Sequence, residues 1–223
     1  MLISAKQIKV GLLVATLAGC GGGLKYKVDD GAMDSVPAGD RQGVFEAQKD
    51  LEMAKSESRN AKSQLDSLDR DRGIAKTEKE QANLEVDKAQ AEVESANASR
   101  NENSANAANH SKAAAETGVK AAEQKLTWLD DKQDWLEAVQ KAADAHIEAA
   151  QAKVEWEKAK VAQAKGIKPD SDFNPSNFEE QWKDKNSDWE SAKKKATSEE
   201  KDAKNSEAKW KDLVAQQQKM KGG

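Results

Sequence analysis

A heptad repeat of small and apolar residues runs through most of this chain from Leu51 onward. The two core positions of each heptad are separated by alternating steps of three and four residues. One of them is mostly alanine, and the other carries mixed or larger side chains. The first stretch comprises Leu51, Ala54, Ser58, Ala61, Leu65, Leu68, Arg72, Ala75, Lys79, Ala82, Val86, Ala89, Val93 and Ala96. The same phase returns after a weaker stretch and continues to Ala159. Because such a seam packs helices side by side, it predicts long α-helices whose alanines allow close approach.

Composition alone leaves two possibilities for this part of the chain. Charged residues make up 34% of the sequence, with 36 basic and 40 acidic side chains. Such a mixture is typical either of long helices with ion-paired faces or of disorder. The heptad repeat favours helices over 51–96 and 128–159. The near balance of charge argues against a nucleic-acid partner, which requires a basic surface.

Two signals mark the ends of helices after residue 160. Gly166, followed by Ile167 and then Pro169, is typical of a glycine-terminated helix. Ser176 and Glu179 have the spacing of a capping box, which predicts the start of a last helix at about residue 177. The sequence therefore predicts a helix–loop–helix hairpin.

The tryptophans reveal an internal repeat with a displacement of 54 residues. The two sets are Trp128, Trp135 and Trp156, and Trp182, Trp189 and Trp210. Folding the two copies into a hairpin brings Trp156 close to Trp182. It also brings Trp128 close to Trp210. The other two tryptophans then face alanines, Trp135 near Ala203 and Trp189 near Ala149, so that large side chains oppose small ones.

The stretch from Ser95 to Ser111 leaves an alternative open. It contains five asparagines and several serines, which compete with helical hydrogen bonds and favour a turn. The heptad phase nevertheless survives it, as it would in one continuous helix of about 120 residues, ~180 Å long. We favour the turn, because it lets the apolar residues of the first helix pack within one chain.

The predicted fold is all-α: an elongated antiparallel helical hairpin or three-helix coiled coil rich in alanine. The domain spans 44–220, with helices at about 44–98, 110–165 and 177–219. Residues 20–43 are rich in glycine and aspartate and contain Pro37. That composition predicts a flexible tether.

The first twenty residues carry a targeting signal. Lys6 and Lys9 precede an apolar run over 10–17, which is too short to span a bilayer. Leu17-Ala18-Gly19-Cys20 follows and resembles the lipobox of bacterial lipoproteins. The resemblance implies a signal peptide over 1–19 and cleavage between Gly19 and Cys20. It also implies a diacylglycerol on the Cys20 thiol and an acyl chain, such as palmitate, on the new amine.

The same resemblance implies a location. Gly21 rather than aspartate follows Cys20, and in the Gram-negative sorting rule this directs a lipoprotein to the outer membrane. We therefore expect anchoring in the cell envelope, on the periplasmic face of the outer membrane. Cys20 is the only cysteine, so no disulfide forms within one chain.

Catalytic and metal-binding patterns are weak. His110 and His146 are far apart and lie at or beside the heptad seam, which favours structural or solvent-edge roles. Asp170, Asp172 and Asn174 alternate as in a calcium loop, but the glycine and final glutamate of an EF-hand do not follow. We expect no enzyme activity, no catalytic residue, no metal and no cofactor beyond the lipid on Cys20.

Two functions remain at this stage. The first is a lipid-anchored structural or tethering protein of the cell envelope that acts through its helical coiled coil. The second is a helical binding module for another envelope protein or peptidoglycan, in which the tryptophans bind the partner. Their positions on the seam favour a role in the core instead. Self-association into an oligomeric rod is also compatible with the heptads.

Overall fold

Three long helices make up most of the structure, a computed structural model that describes residues 23–222. Two single-turn 3₁₀ helices, Asp30–Met33 and Ala38–Arg41, precede them. The long helices are α1 (Gln42–Ala98), α2 (Glu102–Ala164) and α3 (Pro175–Gly222). No strand occurs in residues 23–222. The all-α prediction is therefore confirmed.

A tight turn separates α1 from α2, as the asparagine-rich stretch predicted. Ser99 N donates to Ser95 O at 3.1 Å and Arg100 N to Asn97 O at 3.2 Å. Arg100 takes the left-handed conformation, with φ of 54°. Asn101 then caps α2, its side chain accepting from Ser104 N at 3.2 Å. One cap is enough to restart the helix, so α2 begins at Glu102 rather than near residue 110 as predicted.

The helix α2 lies between the other two. Both α1 and α3 pack against it, whereas no Cα atom of α1 lies within 8 Å of one in α3 in the described part of the chain. The distribution of burial reflects this arrangement. Twenty residues of α2 are buried, compared with eight of α1 and four of α3. The core therefore consists of two interfaces, one on each side of α2.

The internal repeat explains why only α2 has two apolar faces. Toward α1 it presents Leu129 and Leu136, which are each 1% exposed and pack with Leu68. The equivalent positions in the second copy, 54 residues later, are Lys183 and Glu190. Charged side chains at these positions keep that face of α3 in water. At these two positions α3 therefore offers no leucines to receive a further helix.

Alanine dominates the buried surface of α1. Four alanines of this helix, spaced seven or fourteen residues apart, are at most 1% exposed: Ala47, Ala54, Ala61 and Ala75. Leu68, Leu129 and Leu136 are the largest fully buried side chains. Each alanine removes little apolar area from water, about 25 cal/mol per Å². Stability therefore depends on repeating the contact along the whole length of the helices.

The loop between α2 and α3 agrees with the prediction from the sequence at one end only. Gly166 adopts φ of 66°, and Ile167 N donates to Ala162 O at 2.9 Å, as in a Schellman cap. The predicted capping box at Ser176 was wrong. Asn174 caps α3 instead, its side chain accepting from Ser176 N at 3.1 Å. Pro175 occupies the first helical position, which its fixed φ favours.

The predicted flexible tether also needs correction where the structure describes it. Residues 23–41, which we call the N-terminal clamp, fold back against α2 and α3. Val28, Met33 and Val36 are 3–4% exposed. Burying these three side chains offsets the entropy lost by ordering the glycine-rich chain. Within residues 23–222, no helix is long and apolar enough to cross a membrane.

Arg100, the left-handed residue in the turn between α1 and α2, provides a stability test. Replacing Arg100 by glycine removes the steric cost of φ > 0, so Arg100→Gly raises the free energy of unfolding by about 0.5–1 kcal/mol. Gly166→Ala introduces that steric cost at the turn after α2 and lowers the free energy of unfolding by about 1 kcal/mol. Urea unfolding followed by circular dichroism measures both changes.

The matched control for this pair is Ser99→Gly, because Ser99 adopts an ordinary helical φ of −74°. Glycine at that position adds freedom to the unfolded chain and removes the hydrogen bond that Ser99 Oγ donates to Ala96 O at 2.7 Å, so it destabilises. If Arg100→Gly destabilises as Ser99→Gly does, the turn geometry described above is incorrect.

Candidate functional site: the tryptophan-lined interface and the N-terminal clamp

All six tryptophans lie along the interface between α2 and α3, and all are half-buried. Trp156 stacks on Trp182, with ring centroids 4.6 Å apart and planes 8° from parallel. Trp128 stacks on Trp210 at 4.9 Å and 9°. These are the two tryptophan pairs that the repeat predicted, and they set the register of the hairpin.

The two stacks are related by an approximate two-fold axis. Ala142 and Ala196 are equivalent positions of the two copies, and they lie together in one cluster midway between the stacks. Lysines cover the stacked indoles, with Lys160 Nζ 4.2 Å from the Trp156 ring centre and Lys132 Nζ 5.1 Å from that of Trp128. Stacked rings covered in this way serve as packing elements.

A histidine replaces tryptophan as the stacking partner of Trp189. The His146 ring lies 4.0 Å from the Trp189 ring and within 4° of parallel to it. Its Nδ1 atom lies 3.0 Å from Glu57 Oε2, and its Nε2 atom lies 3.7 Å from Asp50 Oδ1. His146 is 6% exposed and joins all three helices in the half of the bundle that carries the loop between α2 and α3. This geometry is that of a structural histidine.

The other histidine lies far from His146. His110 is exposed and lines a cleft of about 570 Å³ at the end of the bundle near the first turn. The last turns of α3 reach the level of Thr117, whose Oγ1 donates to Met220 Sδ at 3.5 Å. Beyond that level the bundle consists of α1 and α2 alone, and the cleft lies where the third helix stops.

The N-terminal clamp attaches to the opposite end through backbone hydrogen bonds. Tyr26 N donates to Gln181 Oε1, and Gln181 Nε2 donates to Tyr26 O, each at 3.0 Å. Val28 N donates to Glu155 Oε2 at 2.7 Å. The side chains of α2 and α3 thus take the place of a neighbouring strand for this extended segment.

Apolar contacts complete the attachment. Val28 and Met33 form one cluster with Ala159 and Ala162 of α2 and Phe178 of α3. Tyr26 packs against Phe178, with ring centroids 5.8 Å apart. The clamp therefore contacts both helices of the hairpin beside their connecting loop, and it closes this end of the core.

A buried lysine anchors the clamp electrostatically. Lys158, 7% exposed, donates to Asp30 Oδ1 of the clamp at 2.6 Å and to Glu155 Oε1 at 2.9 Å. Burial disfavours the charged amine, but the hydrogen bonds to Asp30 and Glu155 outweigh it. The pKa of Lys158 therefore lies above its ordinary value of 10.5.

The residues proposed for lipid attachment and cleavage, Cys20 and Gly19, lie outside the residues that the structure describes. Within 23–222 no group of three or more histidine, cysteine or acidic side chains is placed to hold a metal ion. Comparison with protein families, with curated proteins and with solved structures finds no match.

The clamp is the feature that sequence reasoning missed. Gln181, Glu155 and Lys158 look like any polar residues of a solvated helix face. Val28, Met33 and Val36 were the available signal, because three large apolar residues in a short glycine-rich segment need an apolar surface. They follow no helical or strand period, so they predicted no element.

The pKa of Lys158 predicts how stability depends on pH. The folded-state pKa lies above that of the unfolded chain, so the stabilisation is complete below pH 10.5 and is lost as pH rises through the folded-state value. We expect Lys158→Met to lower the free energy of unfolding at pH 8 by about 1–3 kcal/mol, because Glu155 is left buried without its cation. Urea unfolding at pH 8 and pH 11 measures the effect.

The control is Lys183→Met, since the Lys183 side chain is 61% exposed and its pair with Glu179 contributes little. The wild type and Lys183→Met should lose more stability between the two pH values than Lys158→Met does. Equal losses in all three proteins would show that Lys158 contributes nothing to the attachment of the clamp.

Proposed function

We propose that this protein is a lipid-anchored structural element of the bacterial cell envelope, a rigid helical rod held at one end by acyl chains on Cys20. The single observation that carries the proposal is the lipobox Leu17-Ala18-Gly19-Cys20 immediately before a chain that folds into a long bundle. Transfer to the periplasmic face of the outer membrane follows from Gly21 by the sorting rule.

The N-terminal clamp supports a close connection between anchor and rod. Only two residues, Gly21 and Gly22, separate Cys20 from Gly23, the first residue that the structure describes. An extended chain covers at most about 11 Å over that distance. The acyl chains are therefore tied to the end of the rod that carries the loop between α2 and α3, with little free tether between them.

The dimensions of the rod support a spacing role. The 63 residues of α2 extend over about 95 Å. The first turn, at Arg100, lies at the end away from the clamp. A rod held upright at the clamp end therefore carries that turn about 95 Å away from the anchored end.

The surface of the rod supports an upright orientation. Five large apolar side chains are exposed in the described part of the chain, and they are scattered: Phe45, Met53, Ile74, Leu84 and Met220. The net charge is −4, which gives no attraction to anionic lipid headgroups. Nothing on these faces competes with the acyl chains for the bilayer.

A binding role is the second candidate, and the cleft at the end of α3 favours it. That cleft is lined by α1, α2 and the end of α3 around Met220. It lies at the end of the rod away from the anchor. A partner in the envelope, either a protein or peptidoglycan, meets this end first. Spacing and binding are compatible, because a rod that presents a binding surface at a distance performs both.

Lipidation is tested by changing the one cysteine. We expect wild-type protein expressed in a Gram-negative host to incorporate an alkyne analogue of palmitate and to sediment with the outer membrane. Cys20→Ser removes the thiol that takes the diacylglycerol, so label and outer-membrane association should both be lost. Arg100→Ser, at the far turn, serves as the matched control. Incorporation of the label into Cys20→Ser would contradict the proposal.

Orientation is tested separately on purified lipidated protein in vesicles. A fluorophore is attached either to Lys168→Cys, in the loop near the clamp, or to Arg100→Cys, at the far turn. A quencher carried on lipid headgroups should quench the first label and leave the second unaffected, because the labels lie at opposite ends of α2 and differ in height by about 95 Å. Equal quenching of both labels means that the rod lies flat on the membrane.

A further inference from the structure

Trp135 differs from the other five tryptophans. Those five each stack on a second ring, four in the two tryptophan pairs and Trp189 on His146. In the described part of the chain, Trp135 has neither an aromatic partner nor a lysine or arginine over its ring. It borders a cleft of about 250 Å³ between α2 and α3, which we call the Trp135 cleft.

The internal repeat shows what occupies the equivalent place in the other half of the hairpin. The two-fold relation maps Trp135 onto Trp189 and maps Ala203, beneath the Trp135 cleft, onto Ala149. The same relation maps Glu200 onto His146. The imidazole that covers Trp189 is therefore replaced by a carboxylate beside Trp135, and the space of a ring is left open.

The site at Trp189, which the His146 ring fills and which we call the filled site, shows what kind of group suits a cleft beside an indole. Its ring is planar, can carry a positive charge, lies parallel to the indole at 4.0 Å, and has the Asp50 and Glu57 carboxylates at its edge. The open site has an indole and two carboxylates of its own, those of Glu200 and Glu207, which come from α3 rather than from α1. What it lacks is the planar ring between them.

The lysines around the cleft do not fill it. Lys132 lies over the ring of Trp128. Lys204 pairs with Glu200 and Lys211 with Glu207, but their side chains are 68% and 62% exposed. Exposed pairs of this kind are weak, so a better-placed cation displaces them at small cost.

We propose that the Trp135 cleft binds the guanidinium group of an arginine side chain on a partner protein, stacked on Trp135 and hydrogen-bonded to Glu200 and Glu207. Arginine fits because its planar group stacks on aromatic faces and presents a fork of donors to carboxylates. The volume is below the roughly 300–1,000 Å³ of sites that take complete small molecules, and it suits one side chain. This inference does not depend on lipid anchoring.

The experiment follows the indole N–H resonances of the full-length mature protein by NMR, with each tryptophan assigned. N-acetyl-argininamide serves as the probe. We expect it to shift the Trp135 resonance with half-saturation at about 1–10 mM, which is in the range of one exposed stacking contact. N-acetyl-citrullinamide, planar but neutral, and N-acetyl-lysinamide, charged but not planar, should need roughly tenfold higher concentrations.

Two variants test the assignment to this cleft. Glu200→His restores the residue found in the filled site, so an imidazole covers Trp135 and the response to the probe should disappear. Glu200→Gln keeps the size of the side chain and removes its charge, and should raise the half-saturation concentration roughly fivefold. Circular dichroism verifies that both variants remain folded.

His146→Ala gives the complementary control, because it opens the filled site and leaves Asp50 and Glu57 in place. In this variant the probe should shift Trp189 as well as Trp135. The proposal is overturned if citrullinamide acts at the same concentration as argininamide, or if Glu200→His leaves the response unchanged. It is equally overturned if an N-acetylglucosamine oligomer shifts Trp135 at lower concentration, since the cleft then takes a glycan.

Discussion

Close packing of α2 between α1 and α3 is the contact on which the rest of this structure depends. The other two helices do not meet at their backbones, so neither has an alternative partner within one chain. Alanines such as Ala54 and Ala152, both fully buried, allow the approach but bury little area each. Long helices are the physical consequence, because many thin layers are needed to offset the entropy of ordering the chain. The rod shape is therefore a direct result of small side chains at the seam.

Duplication followed by divergence explains how one helix came to serve two interfaces. The shared face of the two copies carries the tryptophans and their opposing alanines, and it forms a hairpin with approximate two-fold symmetry around Ala142 and Ala196. The other face remained apolar only in α2, where Leu129 and Leu136 receive α1. Even within the shared face the symmetry is incomplete. The His146 ring stacks on Trp189, whereas among the described residues no ring stacks on Trp135, which packs against the leucine cluster of α1 and α2 and borders a cleft with Glu200. This departure from symmetry is the basis of the arginine site proposed above.

The N-terminal clamp links the architecture to the proposed anchoring. A lipoprotein on a long flexible tether can sample many orientations, whereas a segment fixed by Gln181, Glu155 and Lys158 ties the proposed anchor to one end of the rod. Lys158 is important here because its buried amine bridges the exposed carboxylate of Asp30 in the clamp and the largely buried carboxylate of Glu155 in α2. Removing Lys158 leaves the Glu155 carboxylate buried without its cation, which is the costly way to break this bridge.

The sequence by itself determined the elements whose signals are local or periodic. Heptads specify the helices, a glycine with positive φ ends α2, and the repeat of tryptophans pairs Trp156 with Trp182 and Trp128 with Trp210. Local signals failed where two of them competed: Asn174 and Pro175 start α3 in place of the capping box at Ser176, and Asn101 starts α2 ahead of the remaining asparagines. Only the tertiary structure decided that residues 23–41 form a clamp and that His146 lies between two carboxylates and an indole. These contacts join residues more than 40 positions apart through side chains without a period. They depend on which surfaces the packed helices leave open, and no local pattern encodes that.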